Sequence, residues 1–283
     1  MVVVKSVNEL KKQVGRLRDE HKSIGFVPTM GALHQGHLQL VSRCVAENDA
    51  CVVSLFINPT QFNDKNDFNR YPRTLENDIA LLASVGCAIV FAPSAEEMYT
   101  PSEMETVFDF DFGGLDEVME GIFRPGHFNG VVQVVSKLFS MVTPDKAYFG
   151  EKDFQQLAII RRMVQVMNFP IEIVGCPIVR EKSGLALSSR NALLSEQERT
   201  TAAVIYRTLS ESKQLMHEKT VAETKAWVID RLNAIDGLKV EYYEIVNGNS
   251  LQSITDWSDA DYVVGCVTVY CGKVRLIDNI NYK

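Results

Sequence analysis

Near its start the chain reads Phe26-Val27-Pro28-Thr29-Met30-Gly31-Ala32-Leu33-His34-Gln35-Gly36-His37. An apolar run over 24–27 ends in a Pro-Thr-Met-Gly turn. Two histidines three residues apart follow, with a glycine between them, and a helical pattern over 38–46 begins at once. The stretch therefore predicts a strand, a tight turn and a helix N-terminus, with imidazoles where an anion would sit. Two histidines in or entering a first helical turn share a face. Free N–H groups and the helix dipole attract phosphate there, and neutral imidazoles add N–H donors. Two other readings stay open. The pair could be ordinary surface histidines or a zinc pair, although no cysteine or carboxylate lies near enough in sequence to finish a tetrahedral site.

Outward from this stretch, β and α patterns alternate. Ser6 and Glu9 form a capping box that opens a helix to about residue 20. Strands are expected over 23–27, 50–57, 88–91, 147–149 and 171–174, and helices over 38–48, 75–84, 130–142 and 154–167. The run over 50–57 is continuously apolar, as a strand buried on both faces is. Residues 58–71 read as a long polar loop, and the alternation over 103–110 reads as an edge strand. This order predicts an α/β fold, a Rossmann-like doubly wound parallel sheet with right-handed crossovers. Ligands bind beyond the carboxyl ends of such strands, and His34 and His37 lie at one of them.

The pattern changes near residue 178. Capping boxes at Ser195–Glu198 and Thr220–Glu223 start two helices, and three β runs follow at 240–246, 262–270 and 273–277, the last two joined by a hairpin signal at Cys271-Gly272. A second, smaller α+β domain is expected, with residues 1–178 as the first domain and 179–283 as the second.

Composition bounds the partners. The chain has 283 residues, 46% hydrophobic and 23% charged, as in ordinary globular proteins. Its net charge is −7 and no basic run stands out, which argues against nucleic acid. No apolar stretch approaches membrane-spanning length, and the Met-Val-Val-Val-Lys start is too short for the core of a secretory signal. The six cysteines form no Cys-x-x-Cys pair and several sit in apolar runs, so a reducing, cytoplasmic location is expected.

Four further segments could carry chemistry. Asn58-Pro59-Thr60-Gln61-Phe62 follows a strand, and the Gln61 amide can donate and accept at once, as recognition of hydroxyls or a carboxylate requires; an ordinary polar loop residue is the alternative. Arg124-Pro125-Gly126-His127-Phe128 leads into a largely apolar helix, where Arg124 and His127 either line the cleft or act as scaffolding. Phe149-Gly150-Glu151-Lys152-Asp153-Phe154-Gln155-Gln156 is again strand, turn and helix. Asp153 suits an N-cap, and Lys152 suits a phosphate contact or a solvated position. Ser183-Gly184-Leu185-Ala186-Leu187-Ser188-Ser189-Arg190-Asn191 lies at the domain junction and reads as a closing phosphate clamp or as a linker.

Together, in this order and spacing, these segments resemble the pantothenate synthetase (pantoate–β-alanine ligase) family over nearly the whole chain. The motifs are Pro28-Thr29-Met30-Gly31-Ala32-Leu33-His34-x-Gly36-His37, Asn58-Pro59-x-Gln61-Phe62, Arg124-Pro125-Gly126-His127-Phe128, Phe149 to Gln156, and Ser188-Ser189-Arg190-Asn191. The resemblance implies a homodimeric ligase in which ATP and (R)-pantoate give pantoyl adenylate and pyrophosphate. β-Alanine then attacks the adenylate to give pantothenate and AMP, and magnesium accompanies the ATP. It implies catalytic roles for His34, His37, Lys152, Ser188, Ser189 and Arg190, with His37 the proton donor. Met30, Gly31, His34, Gly36, His37, Gly150, Glu151, Lys152, Asp153, Val179 and Leu187 to Arg190 would contact ATP. Gln61, Gln156 and Met30 would face pantoate, and Gln61 also β-alanine. Leu187 and Thr60 stand where the family commonly has methionine. Leu187 preserves apolar volume, whereas Thr60 could alter packing near Gln61.

The chemistry fits that implication. A free carboxylate is a poor acyl donor, and adenylation gives it AMP as leaving group. Positioning and charge neutralisation then dominate. The mixed anhydride needs shelter from water, so residues 63–71 and 183–191 are candidate lids. Asp78 is a candidate magnesium ligand, or a complement to a helix dipole. An adenylyltransferase that releases a stable nucleotide product is the alternative activity, and a non-catalytic nucleotide sensor a third.

Overall fold

Six apolar runs pair side by side into one parallel sheet: β1 (Val2–Val4), β2 (Ile24–Thr29), β3 (Ala50–Leu55), β4 (Ile89–Phe91), β5 (Lys146–Gly150) and β6 (Glu172–Cys176). Their order across the sheet is β1-β4-β3-β2-β5-β6. The register sets Ile24 beside Ala50 and Gly25 beside Lys146. β2 is thus flanked by β3 on one side and β5 on the other, and the winding reverses between β2 and β5. Such a reversal opens a crevice beyond the strand ends. This computed structural model describes residues 1–63 and 65–283. Two units divide the chain, the first being Met1–Asp116, Gly121–Glu151 and Gln156–Pro177.

The sheet is held by burial on both faces. Phe26, Val27, Val52, Val53, Val90, Phe91, Ala147 and Tyr148 have no accessible surface; each large apolar side chain among them contributes about 1.5–3 kcal/mol by leaving water. The helix His127–Val142 is buried on most of its faces. Its Phe139 meets Phe26, Phe149 and Phe169 edge to face, at centroid distances of 6.2, 6.4 and 5.7 Å.

The second unit, Glu117–Glu120, Lys152–Gln155 and Ile178–Lys283, has the expected α+β form. Helices Glu196–Leu215 and Val221–Asn233 start at the Ser195 and Thr220 capping boxes. They cover an antiparallel sheet of β7 (Leu238–Asn247), β8 (Val263–Cys271) and β9 (Val274–Asn281). The β8–β9 hairpin closes beside the Cys271–Val274 pair, with Gly272 at φ 57°.

Two expectations are corrected and one strand is added. Val2–Val4 is a strand, although the sequence reading weighed that segment only as a possible leader; it pairs with β4 at the sheet edge. Residues 103–110 do not form an edge strand. Pro101–Glu105 is a short helix because Thr100 and Glu103 make a reciprocal capping box, with Pro101 at the first helical position. Lys137 and the Thr100 amide hold the Glu103 carboxyl down to about 2. The 58–71 loop contains two helical turns, Pro59–Gln61 and Lys65–Arg70. Asp64, within that loop and its candidate lid, lies outside the described residues.

Candidate active site

At the carboxyl end of β2 the chain leaves the sheet through two successive left-handed residues, Gly31 at φ 81° and Ala32 at φ 51°. Glycine adopts this conformation freely and alanine does not, so something must hold the turn. Thr29 Oγ1 accepts from the Gly31 amide at 3.1 Å and donates to the Ser54 carbonyl at 2.8 Å, tying the turn to β3. Asp78, from the helix Leu75–Ser84, accepts from the Ala32 and Leu33 amides at 2.9 and 2.8 Å. Its Oδ1 also accepts from Thr74 Oγ1 at 3.1 Å, and the side chain is only 1% exposed.

His34 is the N-cap of the next helix, Gln35–Glu47, and His37 occupies its third position. The helix begins three residues earlier than the apolar pattern predicts, so the histidines sit at its very start. They form a reciprocal cap in which imidazoles replace the usual hydroxyl and carboxylate. The Gly36 amide donates to His34 Nδ1 at 3.1 Å, and the His34 amide donates to His37 Nδ1 at 3.3 Å. The rings lie 4.0 Å apart and both are half-buried. Each Nδ1 therefore acts as an acceptor, which places the proton of a neutral ring on Nε2. A zinc ion bound through both Nε2 atoms would need the opposite tautomer, with Nδ1–H facing a backbone N–H. This arrangement favours two imidazoles protonated on Nε2 at a helix N-terminus.

Gln61 ends the turn Pro59–Gln61 and is buried. Its Nε2 donates to Met30 Sδ at 3.0 Å, so the structure brings Gln61 and Met30 together. Asn58, 1% exposed, donates to Gln61 Oε1 at 3.2 Å and to the Gly130 carbonyl at 3.0 Å. The Tyr99 hydroxyl donates to Asn58 Oδ1 at 2.9 Å, and burial pushes that phenol up, which keeps it a neutral donor. His127 is scaffolding. Its Nδ1 lies 2.8 Å from the Gln61 carbonyl and so must carry the proton, leaving Nε2 to accept from Arg124 at 3.1 Å. Neither Asn58 nor His127 stands out in the sequence as a support for Gln61. The available signal is an Asn ahead of a Pro-x-Gln turn, the usual place for a side-chain cap.

The carboxyl end of β5 lies beside that of β2. Gly150 pairs with Cys176, and the Glu151 amide donates to the Cys176 carbonyl at 2.8 Å. Gln156 lies in the first turn of the helix Phe154–Val166 and is half-buried. Its neighbour Gln155 is structural, accepting from the Glu120 amide and donating to the Val118 carbonyl.

The remaining expected residues belong to the second unit. Lys152 Nζ lies 3.6 Å from Asp153 Oδ2, and the Lys152 carbonyl accepts from Asn279 Nδ2. Val179 and Leu187 face each other across a small β loop, the Leu187 amide donating to the Val179 carbonyl at 2.9 Å. Arg180 anchors that loop with a two-pronged bond to Asp278 and lies over the Tyr206 ring at 3.6 Å. Ser188 caps the short helix Ser189–Leu193 by accepting from the Arg190 amide, so Ser188, Ser189 and Arg190 share one turn.

Among the described residues, no group of three or more His, Cys, Asp and Glu side chains could hold a metal ion. No helix among them is long and apolar enough to cross a membrane. All six cysteines are free and buried.

A family model described as Pantoate-beta-alanine ligase matches residues 2–281. A pantothenate synthetase from Phocaeicola vulgatus is 60% identical, the match covering all of both chains. One from Porphyromonas gingivalis is 58% identical, again over the full length of both. Among solved structures, pantothenate synthetase from Thermus thermophilus superposes with a TM-score of 0.92 at 44% identity, covering 100% of this chain and 99% of that one. A pantoate-beta-alanine ligase from Francisella tularensis, solved with beta-gamma ATP and beta-alanine, gives 0.83 at 33% identity, covering 100% and 98%.

Proposed function

We propose, from the premise that this chain belongs to the pantoate–β-alanine ligase family, that it joins (R)-pantoate to β-alanine through a pantoyl adenylate. One observation carries the reading. The backbone donors to both Nδ1 atoms put the proton of each neutral ring on Nε2, at a helix N-terminus, an arrangement suited to a polyphosphate. A pantoate carboxylate oxygen attacks the α-phosphorus of ATP as the bond to pyrophosphate breaks. The β-alanine nitrogen then attacks the acyl carbon and loses a proton, and AMP departs with the former carboxylate oxygen. The histidine N–H groups offset charge that grows on the leaving pyrophosphate, and donors placed in advance contribute most to such steps. Gln61, fixed by Asn58 and by its backbone bond to His127, orients the hydroxy acid against Met30.

Lys152, Ser188, Ser189 and Arg190 are assigned to the nucleotide phosphates, Gly31, Gly36, Gly150, Glu151, Asp153, Val179 and Leu187 to further ATP contacts, and Gln156 to pantoate. The described residues do not fit a protein-held magnesium ion, since Asp78 already accepts three hydrogen bonds. Magnesium would therefore arrive with the nucleotide as part of the substrate. The buried free thiols support a cytoplasmic location. A homodimer is part of the same proposal and would cover exposed apolar side chains such as Val107 and Ile122. Incubation with ATP, (R)-pantoate and β-alanine is expected to yield AMP and pantothenate in equal amounts. AMP formation that does not depend on pantoate overturns the reading.

A further inference from the structure

We infer that Asp78 is a positioning residue for the adenylation half of the reaction: it fixes the left-handed turn that carries the histidine pair. The inference rests on the adenylating function proposed above and gives a role to a residue outside the substrate contacts. Successive amides in a left-handed turn point into one concavity, which holds an anion. Here the anion is the protein's own carboxylate, with Oδ2 on the Ala32 amide and Oδ1 on the Leu33 amide. The next residue is the His34 cap, whose amide in turn sets the His37 ring. A shift of the turn therefore moves both imidazoles.

Two features separate this role from dipole complement or metal binding. An acid that merely complements a helix dipole stays solvated, whereas Asp78 is 1% exposed. Both of its oxygens are already engaged, Oδ1 twice. The turn is also packed tightly against it, since a Cβ on Gly31 would lie 3.1 Å from Asp78 Oδ2. The site needs two acceptors side by side, and asparagine would turn an NH2 group toward one backbone N–H.

The test separates the two half-reactions of folded Asp78→Asn. Pantoate-dependent pyrophosphate release should fall about ten- to a hundredfold in turnover, the size expected for misplacing catalytic groups by about an ångström. Conversion of supplied pantoyl adenylate and β-alanine to pantothenate should stay within about twofold of wild type, because the phosphate donors have then done their work. Thr74→Val, which removes only the hydroxyl on Oδ1, should show the same asymmetry at about two- to fivefold and carries the test if Asp78→Asn does not fold. Equal losses in both half-reactions overturn the inference, as does an unchanged adenylation rate. A loss restored by excess magnesium also overturns it and makes Asp78 a metal ligand. Wild-type protein that releases no pyrophosphate with pantoate fails the proposed function instead, whatever the variants do.

Discussion

At the scale of residues, two backbone amides determine what the histidine pair can do. Donation to each Nδ1 fixes the tautomer, and so turns a His-x-x-His spacing that could have read as a metal site into a pair of hydrogen-bond donors. His37→Ala removes one such donor together with half of the cap. Loss of a cap costs about 1 kcal/mol of stability, whereas loss of a donor to developing charge costs about two to four decades in rate. The variant should therefore remain folded, with a melting temperature near wild type, while pantoate-dependent AMP formation falls by that amount. Near-normal turnover in a folded variant would make the pair structural. The residue types at the site were plain in the sequence, but their partners were not. The Asp78 contact spans about 45 positions of chain, and nothing in the local pattern around Asp78 distinguishes a buried clamp from a solvated first-turn acid.

At the scale of elements, the helix His127–Val142 is the support on which Gln61 rests. A Cβ at Gly130 would lie 2.5 Å from the Thr60 carbonyl oxygen and 2.7 Å from Gln61 Cα, and both are backbone atoms that cannot swing aside. Gly130→Ala should destabilise the protein by about 1–3 kcal/mol through overpacking. It should also raise the KM for pantoate more than that for ATP, measured by varying each substrate in turn; equal effects on both would mean that the turn is not part of the acyl pocket. The strands that form the sheet interior were legible because they are continuous apolar runs. The Ser6, Ser195 and Thr220 boxes announced their helices because a hydroxyl and a carboxylate three residues apart satisfy two end amides at once. The stretch after Thr100 misled for the same physical reason in reverse. Its alternation resembles a strand, but the Thr100–Glu103 box and Pro101 form a local helical turn that the alternation cannot override. Val2–Val4 was missed because three residues carry no period, and only pairing with β4 makes them a strand.

At the scale of the whole molecule, the two units are stabilised differently. The first is an apolar sheet sandwiched by helices. The second combines an apolar core with a charged network in which Arg275 binds Glu120 through two nitrogens, at 2.8 and 2.7 Å, and also reaches Glu241. The Tyr242 hydroxyl and Thr268 Oγ1 complete the set around Glu120. These charges are largely buried, so Arg275→Ala leaves two unpaired carboxylates and should cost about 3–5 kcal/mol in denaturant unfolding. Adding Glu120→Gln and Glu241→Gln should recover most of that loss; no recovery would mean that the arginine contributes through packing alone. Glu120 binds Arg275 and the Lys152 carbonyl accepts from Asn279, which is why the short segments Glu117–Glu120 and Lys152–Gln155 group with Ile178–Lys283. The activity itself is tested most directly with (R)-pantoate carrying 18O in its carboxylate, turned over with ATP and β-alanine. The account predicts that one labelled oxygen appears in the phosphate of AMP for each pantothenate formed; unlabelled AMP, or label in inorganic phosphate beside ADP, would contradict it.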